Sequence, residues 1–215
     1  MTPARLWAGI ATGQVSLSDI EFELWAQIKK VIRAGIRPAH FDAHKHVHVL
    51  PPVSEVVLRL AREFRVPAVR CPMEQNAHAS GPLRNRRLAK ISTVKQYLVS
   101  RAVSSLAKSF RKKLELTGLL SPAHFYGLSQ TGFLDASAIR RILENLPPGT
   151  SELMCHPGYR DAELEWTGTR LLTQREIEIH GLTATSVMNL LVFGGIKLSN
   201  YKELFESTQR TDVAA

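Results

Sequence analysis

Between Ser18 and Arg70 the apolar residues change from helical spacing to short extended runs and back, with Pro and Gly at each change, and this alternation most constrains the fold. Ser18 and Glu21 have the spacing of a capping box, after which Leu24, Trp25, Ile28, Val31 and Ile32 recur at helical intervals until Gly35. A second helix is predicted after Pro51-Pro52 from Val53, Val56, Val57, Leu60, Ala61 and Phe64, and Pro67 to Arg70 reads as a short strand. Further along, a long helix is expected from about Thr93 to Leu116, with Val94, Leu98, Ala102, Leu106 and Phe110 as its apolar stripe. A strand at His124 to Leu128 comes next. A helix capped by Asp135 then carries Ile139, Ile142, Leu143 and Leu146 and stops at Pro147-Pro148-Gly149. The run SELMCHPGY reads as strand then loop, helical patterns surround Arg175 and Val187, and a short strand is expected at Gly195 to Leu198. Alternating helices and strands predict an α/β protein with parallel strands, folded as a single domain over residues 1–215.

A chain of 215 residues with 44% hydrophobic and 22% charged residues has enough apolar surface to build a core. Cys71 and Cys155 lie far apart and suggest no disulfide framework. No apolar run reaches the roughly 20 residues of a membrane span, and MTPARLWAGIATG is too short and mixed for a signal peptide. A soluble, cytoplasmic protein is expected.

The stretch HFDAHKHVHVLPP, residues 40–52, holds four of the eight histidines. If residues 40–48 are extended, His40, Asp42, His44, His46 and His48 share one face and Ala43, Lys45, Val47 and Val49 the other. Such a face suits a divalent metal ion, with the aspartate either ligating or holding an imidazole by its second nitrogen. The alternative is a strand leading into a solvated loop. A second constellation, Met154-Cys155-His156-Pro157-Gly158-Tyr159, places a histidine where a strand meets solvent. That position suits a general acid or base near neutral pH, and it equally suits a strand-end histidine bonded to backbone. Cys155 points away from its neighbour on a strand and reads as an inert buried cysteine rather than a nucleophile.

With these motifs, FELWAQIKKVIRAGIRPAHFDAHKHVHVLPPV, AVRCPMEQ, SELMCHPGYRD, TQREIEIHGLT and GGIKLSNYKEL, the sequence resembles the YdjC-like carbohydrate deacetylases of the ChbG and HpnK type. The resemblance implies a NodB-like distorted β/α barrel and a metal-dependent hydrolase that removes the acetyl group from an N-acetylated sugar or glycolipid. It implies one divalent ion, Mg or Zn, with His44 as ligand and Asp42, His46 and His48 on the substrate side or behind the ligand. It gives catalytic roles to His156, which would protonate or orient the departing amine, and to Arg70, which would tether an acidic partner. It is compatible with a homodimer. The family's Asp-Asp pair and Gly-Leu-His motif do not occur in the sequence, so the barrel is expected to be incomplete, its first strands missing, and the chain a fragment of a deacetylase.

Residues 84–113 carry ten Lys or Arg and no Asp or Glu, within a basic helical insertion at about 84–117. Three explanations are open: a solvated covering helix, peripheral contact with an anionic membrane, and, least favoured, nucleic-acid binding. A noncatalytic basic binding protein is the alternative function.

Overall fold

The computed structural model describes residues 2–74 and 91–206, apart from the side chains of 91–95. Its chain packs as two compact units, one of residues 1–71, 105–121 and 199–215, the other of residues 72–104 and 122–198.

The first unit begins with α1 (Pro3–Ala11) and α2 (Leu17–Arg33). The cap of α2 is Ser16, whose Oγ accepts from the Ser18 N–H at 3.1 Å, so the expected Ser18 cap lies inside the first turn instead. Gly35 ends the helix with φ 81°, and its N–H reaches Ile32 O at 2.9 Å while Ile36 N–H reaches Val31 O at 3.3 Å, a Schellman motif. Helix α3 (Pro51–Glu63) starts on two prolines, whose missing N–H groups would find no partner in a first turn. Ile28 of α2 packs with Val56 and Leu60 of α3, and Leu24, Trp25, Phe41 and Phe64 close around them. The edge of Trp25 meets Phe64 at 6.3 Å.

Among the described residues, parallel pairing in this unit is confined to single bridges, Phe41 with Val69 and Ala68 with Leu120. The 67–70 run thus lies between residues 41 and 120, with Phe41 N–H donating to Ala68 O at 3.0 Å and Arg70 N–H to Phe41 O at 2.9 Å. Helix α4 (Ile91–Thr117) crosses from one unit to the other along the chain. Its buried positions are Ser100, Ala107, Phe110 and Leu114, whereas Leu98 is 62% exposed. The expected 94/98/102/106/110 stripe is therefore corrected. Steps of four drift around a 3.6-residue helix, and the packed face follows alternating steps of three and four. The Val94 side chain and the basic residues 84–90 lie outside the described residues. Lys113 of α4 is committed to Glu55 of α3, Nζ to Oε1 at 3.0 Å.

In the second unit β1 (His124–Tyr126) pairs in parallel with β2 (Ser151–Leu153), in register His124 with Ser151 and Tyr126 with Leu153. Glu74 forms a further parallel bridge to Phe125. Helix α5 (Ala136–Leu143) is capped by the Asp135 carboxylate, which accepts from Ala138 N–H at 2.7 Å. Its Ala138, Ile139 and Ile142 pack with Leu134 and with Val187 of α8 (Thr185–Phe193). Helices α6 (Ala162–Trp166) and α7 (Thr173–Leu182) lie between them in sequence. The strand expected at Gly195 to Leu198 is absent from the described residues: Gly195, at φ 68°, turns the chain out of α8 and residues 196–200 are irregular. Residues 201–206 form a last helix, α9, in the first unit. The architecture is α/β with short parallel strands, as expected.

Candidate active site

The histidine stretch leaves its strand almost at once. Past the bridge at Phe41, the Asp42 Oδ1 accepts the Ala43 N–H at 2.7 Å and takes a donor that a longer ladder would use. Residues His44–Val49 form two 3₁₀ turns joined by a left-handed pair, Lys45 at φ 55° and His46 at φ 56°. Left-handed backbone costs a non-glycine residue about 1–2 kcal/mol. Two in succession concentrate strain, which proteins keep chiefly at functional positions.

The turn overturns the expected single ionisable face. His44 points outward and is exposed, whereas His46 and His48 are buried, His48 at 1% exposure. His40 separates as well, its ring stacked on Tyr201 of α9 at 3.8 Å and 4°.

Asp42, His46, His48 and Arg70 are brought together. Asp42 Oδ1 lies 4.0 Å from His46 Nδ1 and 3.8 Å from His48 Nδ1, and Arg70 Nη1 donates to Asp42 Oδ2. The Arg70 carbonyl oxygen is 2.9 Å from His48 Nε2. A carbonyl only accepts, so that nitrogen carries the proton. The His48 ring also meets the edge of buried Phe110 at 5.6 Å. Arg70 is thus paired with the Asp42 carboxylate.

In the second unit His156 follows β2 by three residues and is half-buried. Its backbone N–H donates to Glu178 Oε2, and its carbonyl accepts from Arg175 Nη1 at 3.5 Å. Glu178 is fully buried, and its other oxygen accepts the Gly132 N–H at 2.7 Å. Glu178 thus ties the loop after β1 to the loop after β2. Cys155 packs at the edge of the α5 and α8 core and is only partly buried, less than the buried position expected.

A second carboxyl, Glu74, accepts the N–H groups of Gly127 at 3.1 Å and Ser129 at 2.9 Å. Burial pushes it above its ordinary 4.5, and hydrogen bonds from Ser129 and the backbone offset that only in part. A raised folded value means that its stabilising contribution is full below 4.5 and is lost as pH rises through the folded value. Relative to Glu74→Gln, the wild-type free energy of unfolding is therefore expected to fall as pH rises from about 4 to 7 in urea denaturation, and a flat or rising difference would contradict this.

Glu74 lies in the stretch AVRCPMEQ and Arg175 and Glu178 in TQREIEIHGLT, stretches that carry the resemblance without giving these three residues a role. An acidic residue in the apolar pattern of EIEIHGL is the nearest to a signal, and only its burial shows that Glu178 faces inward.

The YdjC-like protein family matches residues 4–192 of this chain. A carbohydrate deacetylase of Geobacillus stearothermophilus is 30% identical over 188 residues, covering 87% of this chain and 60% of that protein. A carbohydrate deacetylase of Mus musculus is 27% identical over 212 residues, covering 91% and 65%. A crystal structure of an Enterococcus faecalis protein assigned to cellobiose-phosphate cleavage superposes with a TM-score of 0.61 at 23% identity, covering 91% of this chain and 64% of that one. The chain spans between about 60% and 65% of the length of these relatives. By the extent of that match, the chain belongs to the YdjC-like family.

Proposed function

We propose that this chain is a metal-dependent carbohydrate deacetylase on a NodB-type barrel, hydrolysing the acetamide of an N-acetylated sugar or glycolipid. The carrying observation is the strained turn that presents His44 to solvent while Asp42, held by Arg70, faces His46 and His48. The deacetylase relatives support the same reaction.

An imidazole is a good donor to zinc and a poor one to the harder magnesium, and exposed His44 is free to supply one. The described residues contain no group of three or more His, Cys, Asp or Glu placed to hold an ion, and the sequence has neither Asp-Asp nor Gly-Leu-His. On this reading His44 would be one ligand of a set, and these residues alone would hold the ion weakly. A divalent ion so bound would polarise the acetamide carbonyl and acidify a bound water.

The chain's own residues do the rest. Arg70 fixes the Asp42 carboxylate, which lies behind the turn 4.0 Å from His46 Nδ1 and 3.8 Å from His48 Nδ1. His156 donates a proton to the departing nitrogen. The water oxygen joins the acyl carbon and gives its proton up to solvent, the C–N bond breaks, acetate leaves, the sugar retains a free amine, and His156 regains a proton from solvent.

Calorimetric titration with zinc tests the ligand role. Weak binding is expected, reduced a further tenfold or so by His44→Ala, in line with the loss of one coordinating group. Equal affinity in both proteins would overturn it.

A further inference from the structure

The loop that carries His156 is laced to one helix at four backbone points. Along α7, Arg175 Nη1 donates to the His156 carbonyl at 3.5 Å and Arg175 O accepts the Gly158 N–H at 3.3 Å. Glu176 Oε1 accepts the Arg160 N–H at 3.1 Å, and Glu178 Oε2 accepts the His156 N–H. Arg175 and Glu178 are three apart, so they share one face of the helix and grip both backbone groups of a single residue. A carboxyl at 0% exposure is expensive to keep, and a helix needing only to pack would place an apolar side chain there. Glu178 instead spends both oxygens on N–H groups of two strand-end loops, at Gly132 and His156.

We propose that Glu178, with Arg175, is a positioning pair that fixes the backbone of His156 and so sets where its imidazole stands. This rests on His156 being the proton donor to the leaving amine. Glu178 never touches substrate. A glutamine at 178 keeps the volume but offers one acceptor for two N–H donors, and its amide N–H would face one of them. The imidazole is then free to move by a fraction of a residue, and misplacing a proton donor by about 1 Å lowers the rate by up to about a hundredfold.

The test uses the full chain, labelled with 15N-histidine, and compares wild type with Glu178→Gln and Arg175→Met. The His156 ring signals are identified by their loss in His156→Ala. In Glu178→Gln these signals should shift or broaden while those of His44 stay put, and kcat for acetate release should fall about tenfold to a hundredfold with KM within about twofold. A role confined to stability would not single out one histidine ring or separate kcat from KM. If Glu178→Gln does not fold, Arg175→Met, which removes the other half of the clamp, is expected to show the same pattern. A folded variant with unmoved His156 signals overturns the proposal, as does loss of rate in His156→Ala without loss in Glu178→Gln. If His156→Ala keeps the wild-type rate, the proton-donor reading falls instead, and the ring signals then decide whether the clamp exists.

Discussion

Gly127→Ala is expected to destabilise the protein by roughly 3–5 kcal/mol, a large part of the stability of an ordinary domain. Gly127 follows β1 at φ 96°, and a Cβ there would stand 2.1 Å from the Met154 carbonyl oxygen and 3.1 Å from its carbon. These are backbone atoms at the end of β2, so no side chain can swing aside. The two strands would have to part, and with them the Glu74 bond to the Gly127 N–H. Gly118 provides the comparison. Its φ is 69°, yet nothing lies within 4 Å of an added Cβ, so Gly118→Ala bears the conformational cost alone, about 1 kcal/mol. Urea denaturation of the two variants separates strain from collision. Equal losses would show that the approach of Gly127 to Met154 carries no cost of its own.

His156→Ala is expected to lower kcat for acetate release by about 10²–10⁴, the range for loss of a general acid. Its ring is half-buried and its backbone is held independently of the ring by Glu178 and Arg175. Removing the imidazole should therefore leave the loop in place and shift the free energy of unfolding by no more than about 1 kcal/mol. Partial restoration of rate by added imidazole would show that a proton is what the variant lacks. A variant with unchanged kcat would remove His156 from the reaction.

The long helices are legible because their apolar spacing and their proline and glycine stops agree: α2 stops just before Gly35 and α3 begins at Pro51, as expected. The histidine turn is not. A left-handed conformation at Lys45 and His46 has almost no residue signature, since neither is Gly or Asn and only the histidine is enriched there, and alternation alone treats the stretch as a strand. The chain departs from that strand because Asp42 competes for the backbone. The result reverses the roles: the histidines that would have lined one face are split into exposed His44, stacked His40 and buried His46 and His48. The pairing of Asp42 with Arg70, 28 residues on, needs the 41-to-69 bridge to bring the two side chains together. The Glu178 clamp spans 46 residues to Gly132 and 22 to His156, a relation that no local pattern encodes.

Acetate release from an N-acetylated chitooligosaccharide, followed by proton NMR over a range of zinc and magnesium concentrations, tests the proposed deacetylase most directly. Release is expected only when metal is added. It should keep rising to high metal concentration, because these residues hold the ion weakly, disappear with a chelator, and need about tenfold more metal in His44→Ala. No release at any metal concentration, or release that neither the chelator nor His44→Ala alters, would contradict metal-dependent deacetylation by this chain.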